Sequence, residues 1–159
     1  MTLAATYYGA NGWLLEFDDL RVLVDPWLRG SLSFPPGEWL LKGELPCERK
    51  VPEKLNLLLL TQGLADHAHP DTLALLPKDL PVIGSAAAAR VVERLGFTSV
   101  KALSPGESTN HQACRCAPAP VHRCRWWKTV ICSNIQPGRS ISNPTVFSIQ
   151  PWSHSPWMP

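Results

Sequence analysis

Two groups of side chains in this sequence carry donor atoms close enough together to do chemistry. The first lies in Thr61-Gln62-Gly63-Leu64-Ala65-Asp66-His67-Ala68-His69-Pro70, which sets a carboxylate and two imidazoles into one short stretch. On residue type alone, Asp66 reads as a turn or capping acid, and His67 and His69 as polar loop residues beside Pro70. The second group is Cys114-x-Cys116, Cys124 and Cys132, with His111 and His122 nearby. Cysteine and histidine hold structural zinc, but such sites pair their cysteines two to four positions apart, and this spacing departs from that pattern. Trp126-Trp127 between Arg125 and Lys128 offers rings and charge of the kind that stack on nucleic-acid bases.

The elements that must position the first group are legible. Residues 3–17 read as strand, interrupted by a Gly9-Ala10-Asn11-Gly12 turn. Asp18-Asp19 turns the chain into Arg21-Val22-Leu23-Val24, which Asp25-Pro26 stops. Residues 29–52, with Gly30, Pro35-Pro36-Gly37, Gly43, Pro46 and Pro52, read as a long surface excursion. Leu55-Asn56-Leu57-Leu58-Leu59-Leu60-Thr61 is a near-continuous apolar run, as in a strand covered on both faces. Pro70 and Asp71 suit the first turn of a helix reaching about Leu76. Leu80 to Gly84 is a short strand, Ser85 caps a helix over 86–95, and Gly96 supplies its left-handed end. Ser99 to Leu103 is a further strand and 104–107 a turn. Strands alternating with helices after a hairpin imply a layered α/β domain.

The 159 residues suit about one domain and a core that needs no disulfides. The longest aliphatic run, Leu57 to Leu60, is far short of the ~18 residues of a membrane span. Met1 to Thr6 lacks the basic and apolar stretches of a signal peptide. A cytoplasmic protein with no membrane partner is the expectation, and disulfides are not expected. The net charge of +2 hides a split, because every acidic residue lies at or before Glu107. Residues 1–108 carry a net −3 and residues 109–159 a net +5. Those last 51 residues also hold 4 of the 5 cysteines, 4 of the 7 tryptophans and 7 of the 16 prolines. A basic tail this mixed with apolar residues is weak ground for nucleic-acid binding. The break divides the chain into an N-terminal half, 1–108, and a Cys/Trp/Pro-rich tail, 109–159, in which no regular sheet is expected.

The hairpin ending in Asp25-Pro26, and the buried strand running into Asp66-His67, resemble the metallo-β-lactamase superfamily. The likeness is to its stand-alone hydrolase-like branch, related to L-ascorbate-6-phosphate lactonases, and it covers roughly residues 3–107. The family sets His-x-His-x-Asp-His in the loop after such a strand. The resemblance therefore implies a layered αββα sandwich of which the first half is recognisable. It implies zinc as cofactor, Asp66 and His67 as ligands, Asp66 also in the catalytic machinery, and Asp25 as the supporting aspartate behind the ligands. The family's first two histidines fall on Gln62 and Leu64. Leucine ligates nothing and a Gln carbonyl is a poor zinc ligand, so the motif is degenerate. His69 is the one further nitrogen donor within the loop, and as a ligand it would define a rearranged site. In an active site of this kind the metal makes a hydroxide nucleophile at neutral pH.

Three functions stay open on the sequence. One is a hydrolase-like protein of this fold with weak or no activity. Another is an active zinc-dependent hydrolase of an ester, a lactone or a phosphorylated small molecule. The third is a small binding module that uses the basic tail. The tail also reads as translated out of frame, in which case the domain is truncated. Trp126-Trp127-Lys128 has the coding sequence TGG-TGG-AAR, which read two bases later gives Val-Glu. The same offset lets Lys128 to Ile131 give Asn-Gly-Tyr, and Val-Glu-Asn-Gly-Tyr looks like the strand and turn expected here in the resembled family. Sequencing the coding DNA across codons 107–131 is expected to show that open offset reading; its absence refutes the out-of-frame tail.

Overall fold

The computed structural model describes residues 3–33, 42–112, 114–118 and 130–134. Leu3–Gly9 (β1), Gly12–Phe17 (β2) and Leu20–Val24 (β3) form an antiparallel meander. The β2–β3 turn is closed by Asp18 at φ +50°, a conformation that short acidic side chains tolerate. Ser31–Ser33 (β4) and Lys42–Glu44 (β5) pair antiparallel as a small separate sheet, so the expected surface excursion contains local strand structure. Its foothold is apolar: Trp27, Leu28 and Leu32 are buried, and Gly43 lies against the Trp27 ring.

Leu57–Leu60 (β6) pairs parallel with β3 and is buried at all four positions, as its unbroken leucine run predicts. The α1 helix, Pro70–Ala74, follows it, shorter than expected at its C-terminal end. Val82–Ser85 (β7) is parallel to β6, Ala86–Arg94 (α2) comes next, and Val100–Leu103 (β8) completes a six-stranded sheet in the order β1-β2-β3-β6-β7-β8. Leu14, Leu23, Leu58 and Val82 fall in one row across four strands. They belong to a core shared with Leu73 of α1 and Ala88 and Val92 of α2, so both helices pack on that face. The Ser85 hydroxyl accepts a hydrogen bond from the Ala88 amide at the start of α2, and Gly96 at φ +86° ends it. This is the mixed α/β architecture expected from the sequence.

Beyond this sheet, Thr109–His111 (β9), Cys114–Pro118 (β10) and Val130–Asn134 (β11) form a three-stranded antiparallel sheet in the order β11-β10-β9. The expectation that the tail holds no regular sheet is corrected here. Gln112 at φ +50° turns β9 into β10, Cys116 is buried, and β11 opens on the β-branched pair Val130-Ile131. Pro118 ends β10, where its missing donor costs the ladder least. Contacts divide the chain at Ala102–Leu103, just ahead of the boundary that composition suggests. His122, Cys124, the Trp126-Trp127 pair and the other tail prolines lie outside the described residues, and with them the zinc-module and base-stacking readings. Among the described residues no helix is long and apolar enough to cross a membrane.

Gly84 sets a limit on the β6–β7 seam. A Cβ there would lie 2.6 Å from the Leu60 carbonyl oxygen. Gly84→Ala should therefore lower stability by about 1–3 kcal/mol, read as a reduced urea midpoint at unchanged slope. A midpoint at or above that of the unaltered protein would contradict this packing.

Candidate active site

The site grows from the adjacency of β3 and β6. Both end on the same side because they are parallel, and Asp25 and Thr61 follow their last residues. Asp25 sits at φ +39°, and its amide donates to the Leu59 carbonyl at 3.0 Å, which continues the ladder by one bond. The carboxylate is 3% exposed, so it must find donors. It finds three. The Thr61 amide reaches Oδ1 at 2.8 Å, while the Thr61 hydroxyl at 2.5 Å and His67 Nδ1 at 2.8 Å reach Oδ2.

The loop from Thr61 to His69 is held by its own turns and by small residues. The amides of His67 and Ala68 donate to the Leu64 carbonyl. Gly63 runs so close to the first turn of α2 that a Cβ would lie 2.8 Å from the Ala87 carbonyl carbon. With Nδ1–H committed to Asp25, the His67 ring presents Nε2 toward Asp66, whose Oδ2 is 3.5 Å away. Asn11, in the β1–β2 turn, reaches the same place. Its Nδ2 lies 3.3 Å from the Asp66 carbonyl oxygen, from Asp66 Oδ2 and from His67 Nε2. Asp66 Oδ1 is buried and has no hydrogen-bond partner among the described residues.

Burial drives the Asp25 carboxyl above the usual carboxylate value, against the pull of His67 and Thr61. Burial works the other way on His67, but the hydrogen bond and charge of Asp25, with the charge of Asp66, outweigh it and hold the imidazole above its ordinary value. The two residues thus hold a proton between them more tightly than either would in water.

The expected site residues separate into two places. Asp25, Asp66 and His67 come together as described. His69 is 3% exposed and caps α1: its Nδ1 accepts from the Thr72 amide at 3.3 Å, and its Nε2–H donates to the Ser31 carbonyl at 3.1 Å. Both of its nitrogens are engaged in that cap, which leaves neither lone pair for a metal. Thr72 adds to the same clamp by accepting from the Leu28 amide at 3.0 Å. Leu64 is 56% exposed, and Gln62 is half-buried. Asn11 and Thr61 are the site residues that sequence reasoning misses. Thr61 was within reach as the residue that ends the buried strand, whereas Asn11, a polar member of a glycine-flanked turn, carries no local signal of a contact 55 positions away.

Zinc takes about four ligands. Here two ligand side chains converge, and the point between them is spanned by an amide nitrogen, which donates and does not ligate. Among the described residues no group of three or more His, Cys, Asp or Glu side chains is placed to hold a metal. The described residues therefore do not fit a complete metal centre.

The fold that carries the site is a mixed sheet with both helices on one face, and its Asp66-His67 loop is anchored behind by a buried aspartate. The chain belongs to the beta-lactamase superfamily: the profile of that superfamily's domain matches residues 4–130, well beyond the 107 at which the visible motifs end. Among solved structures it is similar to a possible metal-dependent hydrolase from Veillonella parvula, at 16% identity and a TM-score of 0.62, over 84% of this chain and 59% of that one. It is also similar to Igni18, a metallo hydrolase from Ignicoccus hospitalis, at 14% identity and a TM-score of 0.58, over 83% of this chain and 56% of that one. CmlA, a diiron β-hydroxylase from Streptomyces venezuelae, aligns at 22% identity and a TM-score of 0.60, over 92% of this chain and 29% of that one. The chain thus spans less than two thirds of each of these proteins. No curated protein matches the sequence.

The Asp25–His67 couple makes a pH prediction. Both folded values are raised, from 3.8 and 6.5, so each contributes stability that is fully present below its ordinary value and lost as pH rises through the folded one. Asp25→Asn should flatten the loss of stability as pH rises above 6.5, followed by urea unfolding at a series of pH values. Asp25→Ala, which strands three buried donors, should cost about 3 kcal/mol or more. An unchanged pH profile in Asp25→Asn would show that His67 titrates independently of it.

Proposed function

We propose that this chain is a hydrolase-like protein of the metallo-β-lactamase fold whose metal motif is degenerate, and that it is weakly active or inactive as a metal-dependent hydrolase. The observation that carries this reading is the incomplete donor set. Asp66 and His67 remain, His67 oriented by Asp25, while the two preceding motif positions are Gln62 and Leu64 and His69 is spent on the α1 cap. Without a metal there is no Lewis acid to generate hydroxide at neutral pH, and nothing among the described residues replaces that step.

What the residues still do is positional. Asp25 fixes the His67 tautomer with Nδ1 protonated, Thr61 locks the carboxylate, and Nε2 faces Asp66. The substrates to assay are those of the alternative reading as an active hydrolase: an ester, a lactone or a phosphorylated small molecule.

The deciding experiment measures metal content by mass spectrometry on protein purified without chelator, together with ester and lactone hydrolysis. The expected outcome is a folded protein with substoichiometric zinc at this site and hydrolysis near background. Stoichiometric zinc that disappears in His67→Ala, together with hydrolysis, would overturn the reading in favour of an active zinc hydrolase. Metal that persists in His67→Ala lies elsewhere in the chain and leaves the reading in place.

A further inference from the structure

We propose that the Asn11 carboxamide stands in for the absent cation: its nitrogen bridges Asp66 Oδ2 and His67 Nε2 and closes a latent divalent-cation site. This rests on the reading of the site as degenerate and goes further, because it names the group that fills the gap and says what happens when that group is changed.

The argument begins with what a half-site needs. An unpaired Asp66 carboxylate beside an Nε2 lone pair would leave two acceptors facing each other, which is costly where water is scarce. A cation resolves this in a complete site. Here the Asn11 nitrogen supplies positive hydrogen-bonding character instead. It lies 3.3 Å from each of Asp66 O, Asp66 Oδ2 and His67 Nε2, three acceptors for a group with two N–H bonds. An amide is a weaker substitute than an ion, and the shortfall is visible, since Asp66 Oδ1 is left buried and unpartnered among the described residues. The amide satisfies one of the two carboxylate oxygens.

The hairpin is shaped to deliver this contact. Ala10 stands at φ +47°, a left-handed conformation that costs an L-residue roughly 1–2 kcal/mol. Its carbonyl is held by the Tyr7 hydroxyl at 3.0 Å. The Tyr7 ring in turn lies against Trp13, with centroids 4.8 Å apart. The strained residue is the one immediately before Asn11, so the turn is bent where the carboxamide must be aimed across 55 positions of sequence at Asp66.

The test uses the full chain with Asn11→Asp and Asn11→Ala, each also combined with His67→Ala. Zinc binding is measured by equilibrium dialysis, and cobalt(II) binding by its visible absorption. Asn11→Asp replaces the donor amide by a third carboxylate facing Asp66 and His67, and should bind zinc through His67. Asn11→Ala opens the gap without adding a ligand and should bind more weakly, but still on the order of tenfold tighter than the unaltered protein. In both, the gain should vanish with His67→Ala, which separates it from zinc on the cysteines. Folded variants that bind no more metal through His67 than the unaltered protein would overturn the stand-in role while leaving the degenerate-site reading intact. Should a variant fail to fold, the His67 Nε2 nitrogen-15 shift in the unaltered protein decides: a shift typical of an accepted hydrogen bond supports the proposal, and one typical of a free nitrogen overturns it. Stoichiometric, His67-dependent zinc in the unaltered protein would remove both readings together.

Discussion

The carboxylate of Asp25 is the constraint on which the rest of the site depends. A buried acid with fewer than its full set of donors is costly, and the cost falls on whichever backbone geometry fails to supply them. Here the supply comes from one short segment, Thr61 to His67. Meeting Asp25 therefore fixes the end of β3 against the end of β6, the entry to the loop and the ring orientation of His67. The left-handed backbone at Asp25 belongs to the same solution, because it lets the amide finish the strand ladder while the side chain turns back toward Thr61.

A second clamp works beside the first and uses up what the sequence offered as a ligand. His69 and Thr72, in the first turn of α1, hold the segment that follows β3 through the Ser31 carbonyl and the Leu28 amide. Gly30 passes so close to this corner that a Cβ would lie 2.8 Å from Asp71 Oδ2. Histidine suits the role because one nitrogen accepts from the helix while the other, on the far side of the ring, donates across to the loop; an ionised carboxylate only accepts, and a hydroxyl does both from a single atom and so spans less. The imidazole that looked like chemistry is thus architecture, and the clamp keeps the Asp66-His67 loop between two anchored ends.

The fold was legible wherever pattern and punctuation agreed. The leucine run of β6, the Ser85 cap and Gly96 stop of α2, and the Asp18-Asp19 turn each state a local preference that the packing leaves standing. Ser31–Ser33 and Lys42–Glu44 carry no alternation, so their pairing, supported by Trp27 and Leu32, was not readable. Cys114–Pro118 pairs on both sides although its composition argues for irregular chain, because two neighbours supply ladder bonds that composition does not reveal. In the site, Asp25, Asp66 and His67 were legible through a motif. Asn11 was not, since its role depends on a contact between residues far apart in sequence, and such a contact is a property of the fold.

Charge explains why a site with so few ligands still holds its shape. Asp25 and Asp66 flank one imidazole, and among the described residues near them no lysine or arginine makes an ion pair with either acid. Against its burial, the hydrogen bond and charge of Asp25 and the charge of Asp66 hold the His67 ring above its ordinary value, and its Nδ1–H donates to the buried Asp25 carboxylate. The Asn11 carboxamide offsets part of the Asp66 charge as a dipole. A dication bound there would have to displace the amide, and it would gain only two ligand side chains in return. Restoring binding therefore needs a change in charge at position 11 more than it needs space, because the gap between Asp66 and His67 is closed by a hydrogen-bonding group and not by bulk.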